Sequence, residues 1–228
     1  MQIEPKKIAH IYSVARYIIY AMIGLIGLQI IVYVLMPPPE TAYEFIEMFR
    51  SSTFKGLLSL DLLYMINNAL LIIIYFAFSL FMMKKKPLLA IIAFVVGIIG
   101  IACYYASNPA FEFYFLAQKY ALATGAERLY LEYIGEGLLL QYKGTAFISY
   151  YIFNAIALYL YAVILLYMKE VPRRVPVFAF MSAILMSIPS SFGLLGLIFA
   201  LLSLVPWMIF LLMMDKELRM ERSRVLQA

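Results

Sequence analysis

Histidine, cysteine and tryptophan each occur once in the 228 residues. The lone imidazole, His10, leaves no material for a histidine metal cluster or a Ser-His-Asp triad. The lone thiol, Cys103, excludes an intrachain disulfide; set inside an apolar run, it reads as a small packed side chain rather than a reactive one. Charge is scarce as well, at 14% of residues, where a soluble domain carries about 25%. No G-x-S-x-G, P-loop or H-E-x-x-H occurs, so the common hydrolase, nucleotide-binding and zinc-protease signatures are missing. Glu132 and Glu136 stand at i and i+4, the spacing of a solvated helix face. The expectation is therefore no catalytic residue, no metal site and no cofactor.

What the sequence has in excess is apolar length. Hydrophobic residues make up 65% of the chain, in six runs at roughly Ile11–Met36, Leu57–Met83, Leu88–Ala106, Phe147–Met168, Val175–Ile188 and Leu194–Met214. A membrane-spanning helix needs about 20 such residues. The expected fold is an all-α, polytopic transmembrane bundle of six spans, forming one integral membrane domain over residues 1–228. The first run is too long for the apolar core of a signal peptide, and no small-residue cleavage site precedes Pro37-Pro38-Pro39. The fifth run is short. Its residues between Arg174 and Pro189 reach about 21 Å as helix, against about 30 Å of hydrocarbon. The stripe Gly193, Gly196, Ala200 and Ser203 on the sixth run suits close helix packing, as do Gly24 with Gly27 and Ala93 with Gly97.

Of the 18 lysines and arginines, five fall on one side of this layout: Arg50, Lys55, Lys119, Arg128 and Lys143. The other thirteen share the side of both termini, including Lys84-Lys85-Lys86 and Arg173-Arg174. The positive-inside rule then places both termini in the cytoplasm of a cell membrane. The basic residues are scattered over four segments without a binding motif, which excludes nucleic acid as a partner.

The second run carries Asp61, Asn67 and Asn68. On a continuous helix Asp61, Tyr64 and Asn68 share one face, and an intramembrane carboxylate is expected to point into the bundle toward partners. The fourth run offers Tyr150, Asn154 and Tyr161 at i, i+4 and i+11. Two readings stand: a small polar pocket in the outer half of the bundle lined by Asp61, Tyr64, Asn68, Tyr150 and Asn154, or interhelical hydrogen-bond glue beside an aromatic belt.

Between the third and fourth runs, residues about 107–146 show helical periodicity on both sides of "ATG" (123–125). The spacing predicts two short amphipathic helices at the outer face, the second turning Tyr133, Ile134 and Leu138 inward or toward lipid. Within this stretch "NPAF" (108–111), "YALAT" (120–124) with Glu127-Arg128, and "YKGTAFISYYIFNAIAL" (142–158) resemble the prokaryotic domain-of-unknown-function 4386 family. "SLDLLY" (59–64), "VPRR" (171–174) and "VPW" (205–207) agree with that resemblance; Lys143 departs from it, standing where an uncharged residue is usual. The resemblance implies a six-span membrane protein of bacteria or archaea and implies no activity. Three function classes follow. The first is a non-catalytic accessory subunit or sensor that binds a lipid head group or small polar ligand. The second is a small-solute or ion transporter using Asp61, although no internal repeat supports it. The third is an intramembrane enzyme, for which residues are few. Expected partners are the bilayer, a membrane protein or a second copy of the chain, and that ligand.

Overall fold

The computed structural model describes residues 4–227, which form ten helical segments and no strand. These are α1 (Pro5–Leu35), α2 (Ala42–Ser51), α3 (Thr53–Ser59), α4 (Leu62–Met82), α5 (Pro87–Ser107), α6 (Ala110–Leu122), α7 (Ala126–Tyr142), α8 (Thr145–Leu166), α9 (Arg174–Met186) and α10 (Gly193–Gln227). Five helical stretches are long and apolar enough to cross a membrane: Pro5–Leu35, Leu62–Met82, Pro87–Leu122, Ala126–Leu166 and Gly193–Gln227. This is a membrane-embedded, all-helical protein. The expected fifth run is α9, whose 13 residues rise only about 20 Å.

Contacts group the chain into two compact units. The first takes residues 4–23, Asn68–Ala102 and residues 149–227; the second takes Gly24–Asn67 and Cys103–Ile148.

The first unit is built on long apolar helices. Its core gathers Tyr12, Ile19, Met22, Ile74, Phe78, Tyr161, Phe210 and Met214. Phe78 meets the rings of Tyr161 and Phe210 edge-on, at 6.1 and 5.5 Å, the arrangement ring quadrupoles favour. Close packing on α5 comes from its small residues: Ala93 is fully buried, and a Cβ on Gly97 or Gly100 would overlap Tyr75 or Asn154 respectively. On α10, Gly196 and Ser203 of the expected stripe are buried, whereas Gly193 is exposed. Gly24 and Gly27 differ from expectation, for a Cβ at either would meet nothing within 4 Å.

The second unit uses shorter, capped helices. Thr41 caps α2 in a reciprocal box with Glu44, and the backbone N–H groups of Glu40 and Thr41 hold the Glu44 carboxyl below its ordinary range. Ala42, Phe45, Ile46 and Phe49 recur at i, i+3, i+4 and i+7, and all four are buried, the stripe of an amphipathic helix. They pack on Ala110, Phe113, Leu116 and Ala117 of α6, with the Phe113 ring 5.3 Å from Phe45 and 6.5 Å from Phe49. The "ATG" break falls between α6 and α7 as the periodicity predicts. On α7, Leu138 is partly buried as expected, together with Leu131 and Gly135, which the expectation did not name; Tyr133 and Ile134 are exposed, so of the two orientations expected they do not take the inward one. A Cβ on Gly135 would strike Ala42, and that close approach selects the Gly135 face.

Of the two glutamates expected on a solvated face, Glu136 is exposed and Glu132 partly so, and both also have partners. Glu136 accepts the backbone N–H of Ala42 at 2.8 Å, a carboxylate at the open N-terminus of α2 where the helix dipole favours it. Glu132 accepts the Tyr120 hydroxyl at 2.6 Å.

Candidate functional site

The aspartate of the second apolar run lies outside the spanning helix. Leu60 closes α3 with φ −104° and ψ 42°, and Asp61 follows with φ 66°, the only non-glycine residue at positive φ among the described residues. A left-handed residue cannot continue a right-handed helix, so α3 stops, the chain turns, and α4 starts at Leu62 with the Met65 N–H bonded to the Asp61 carbonyl at 2.8 Å. This corrects the expectation of one helical face shared by Asp61, Tyr64 and Asn68, for only Tyr64 and Asn68 lie on α4. Aspartate tolerates the left-handed region better than most residues, and such conformations gather where function over-determines the backbone.

The turn is held from the "NPAF" segment. Asn108 donates its side-chain amide to the Leu60 carbonyl at 2.9 Å and accepts the Ala110 N–H at 3.0 Å. It thus clamps the turn and opens α6 together.

Asp61 is 7% exposed. The Tyr142 hydroxyl, at the end of α7, donates to its Oδ2, and the Tyr104 hydroxyl lies close enough to favour the charged carboxylate. No lysine, arginine or histidine pairs with it among the described residues. Burial pushes the carboxyl up to about 6, while the Tyr142 and Tyr104 hydroxyls pull it down. Both tyrosines belong to aromatic pairs: Tyr142 with Phe147 at 5.6 Å, and Tyr104 with Tyr64 at 5.3 Å and Tyr105 at 5.8 Å. Tyr105 also donates to the Met65 carbonyl at 2.7 Å.

The other residues expected with Asp61 and Tyr64 belong to the first unit. Asn68, Tyr150 and Asn154 are all buried. Asn154 accepts the Tyr75 hydroxyl at 2.8 Å and donates to the Tyr150 carbonyl one turn back on α8, at 3.0 Å. Below them, Ser79 donates to the Ala90 carbonyl at 3.0 Å and meets the Tyr161 hydroxyl at 2.9 Å; that hydroxyl in turn donates to the Tyr75 carbonyl at 3.2 Å. Polar atoms here answer one another across α4, α5 and α8.

Sequence reasoning missed several groups. Asp215 on α10 is 7% exposed and accepts Arg16 Nε at 2.7 Å and the Tyr20 hydroxyl at 3.0 Å. Glu221 pairs with Lys84 and, at 3.6 Å, with Arg224. In the second unit, Gln29 and Asn67 are 8% and 6% exposed, yet both amide atoms of Gln29 and Oδ1 of Asn67 have no hydrogen-bond partner among the described residues. The available signal was simple: an amide inside an apolar run requires a partner, and Gln29 sits inside the first. No three of histidine, cysteine, aspartate and glutamate gather among the described residues.

No family model, curated protein or solved structure matches the chain.

Proposed function

We propose that this is a non-catalytic membrane protein, an accessory subunit or sensor, that holds a lipid head group or a small polar ligand at Asp61. The observation that carries this reading is the buried Asp61 carboxylate, which has a hydroxyl donor, Tyr142, but no countercharge among the described residues. An unpaired buried charge is expensive, and ionisable groups kept at such cost within a membrane protein are functional by default. The satisfied network of Tyr75, Ser79, Asn154 and Tyr161 suits the other role expected of polar residues, that of interhelical glue.

The wider setting is part of the same proposal. It is a six-span protein of a prokaryotic cell membrane, related to the domain-of-unknown-function 4386 family, with both termini cytoplasmic and α6 and α7 at the outer face. The thirteen-to-five division of basic residues supports that orientation. Cysteines introduced singly at Glu132 and Ser223, in a Cys103→Ala background, should react with an impermeant reagent from opposite sides; reaction of both from outside refutes the topology. The binding reading is tested by purifying the full chain in mild detergent and identifying bound lipids and solutes by mass spectrometry. A molecule retained by the wild type and absent from Asp61→Asn supports it, and identical contents of the two overturn it. Movement of a bound solute across proteoliposomes, lost in Asp61→Asn, would favour the transporter over the sensor.

A further inference from the structure

Resting on that reading, we infer that the Asp61 site takes a protonated amine, the ammonium group of a lipid head group or of a free alkylamine. Two observations in the second unit converge on this chemistry.

The first is charge. Asp61 is a buried acid of this unit that no lysine, arginine or histidine pairs with among the described residues, and a cationic ligand supplies the missing partner. The second is the character of the walls. The Tyr142 ring, whose hydroxyl donates to the carboxylate, lies against Phe147, and the neighbouring Tyr104 ring lies against Tyr64 and Tyr105. A carboxylate ringed by aromatic side chains is the setting in which ammonium ions bind, drawn by the charge and by the ring quadrupoles.

A hard metal ion is a poorer match. Calcium takes six to eight oxygen ligands, several of them carboxylates, and no three of histidine, cysteine, aspartate and glutamate gather among the described residues. An anion would meet the carboxylate directly.

The test is thermal unfolding of the purified full chain at pH 8 with ethylammonium chloride, sodium chloride or potassium chloride at equal ionic strength. It is paired with native mass spectrometry of the chain from nanodiscs containing phosphatidylethanolamine or phosphatidylglycerol alone. At a hundredfold excess over its dissociation constant, ethylammonium should raise the midpoint by roughly 5–10 °C. Sodium and potassium should not, and the shift should vanish in Asp61→Asn. Retention of phosphatidylethanolamine by the wild type alone identifies the lipid as the source of the amine; an ethylammonium shift without that retention identifies a free amine. Should Asp61→Asn fail to elute like the wild type, the wild type at pH 4 replaces it, where protonation of the carboxyl should remove most of the shift. Equal stabilisation by sodium or potassium overturns the amine assignment, as does an amine shift that survives loss of the charge. Asp61-dependent retention of an amine-free lipid refutes the amine and leaves the binding reading standing. No shift with any salt and no retained molecule refutes both.

Discussion

Two aspartates of this protein are buried to the same extent, each 7% exposed, and they are treated in opposite ways. Asp215 meets a guanidinium, Arg16 at 2.7 Å, with the Tyr20 hydroxyl on its other oxygen. Asp61 meets the Tyr142 hydroxyl and no cation among the described residues, on a backbone turned to positive φ. A carboxylate closed by arginine is complete, and its role is to tie α1 to α10. A carboxylate closed by neutral donors retains a net charge for something else to answer. Burial alone therefore distinguishes nothing; the identity of the partner does.

The comparison breaks most sharply at Arg16. Arg16→Met strands Asp215, and breaking a buried pair by removing one partner costs about 3–5 kcal/mol. Denaturant titration in detergent should show that loss, with much of it restored in Arg16→Met/Asp215→Asn. A single variant as stable as the wild type would mean that the ion pair is screened and the two aspartates are alike.

Next in size is a pH dependence belonging to Asp61. Its carboxyl is raised from the ordinary 3.8 to about 6, so between those values the folded state holds a proton that the unfolded state has released. Stability is then highest below about pH 4, falls as pH rises to about 6, and is flat above for this group. The loss is on the order of 3 kcal/mol at 1.36 kcal/mol per pH unit. Melting curves from pH 4 to 8 should show this decline in the wild type, superimposed on other titrations, and the difference from Asp61→Asn should isolate it. A difference that does not vary with pH would remove Asp61 as the cause.

At pH 8 without ligand, Asp61→Asn itself should stabilise by about 1–2 kcal/mol. The amide oxygen still accepts from tyrosine, asparagine tolerates positive φ, and the desolvated charge is gone. Destabilisation would show that the ionised carboxylate is better satisfied than its visible partners imply. The smallest expected effect is in the glue. Tyr75→Phe removes the donor to Asn154 and should cost about 1–2 kcal/mol at every pH, with no change in ligand retention. A loss of retained ligand in that variant would erase the distinction between the two networks.

Much of this was legible in the chain. Apolar runs of spanning length predict the long helices, and "ATG" marks the α6–α7 break because both are properties of a window of residues. Burial of Asn68, Tyr150, Asn154 and Tyr161 followed from their periodicity and the cost of amides in hydrocarbon. The Asp61 turn was not legible. A single left-handed residue has no periodicity, and aspartate in place of glycine gives no warning inside "SLDLLY". The pairs Arg16–Asp215 and Glu136–Ala42 depend on which helices become neighbours across 199 and 94 residues, and no local pattern encodes that. The burial of Gly135 on α7 was hidden for a related reason. Gly135 faces Ala42 because α2 approaches closely there, a preference of the partner helix and not of α7 itself.

The 81 residues between Asp61 and its donor Tyr142 acquire another meaning during synthesis. A ribosome adding roughly 5–20 residues per second delivers Tyr142 some 4–16 seconds after Asp61. The intervening chain includes Asn68–Ala102, which belongs to the other unit. Throughout that interval the acid must be hydrated, protonated or shielded by the insertion machinery, and Asn108 arrives before Tyr142 to pin the turn. The second unit is thus completed late, around a residue that enters the membrane system early.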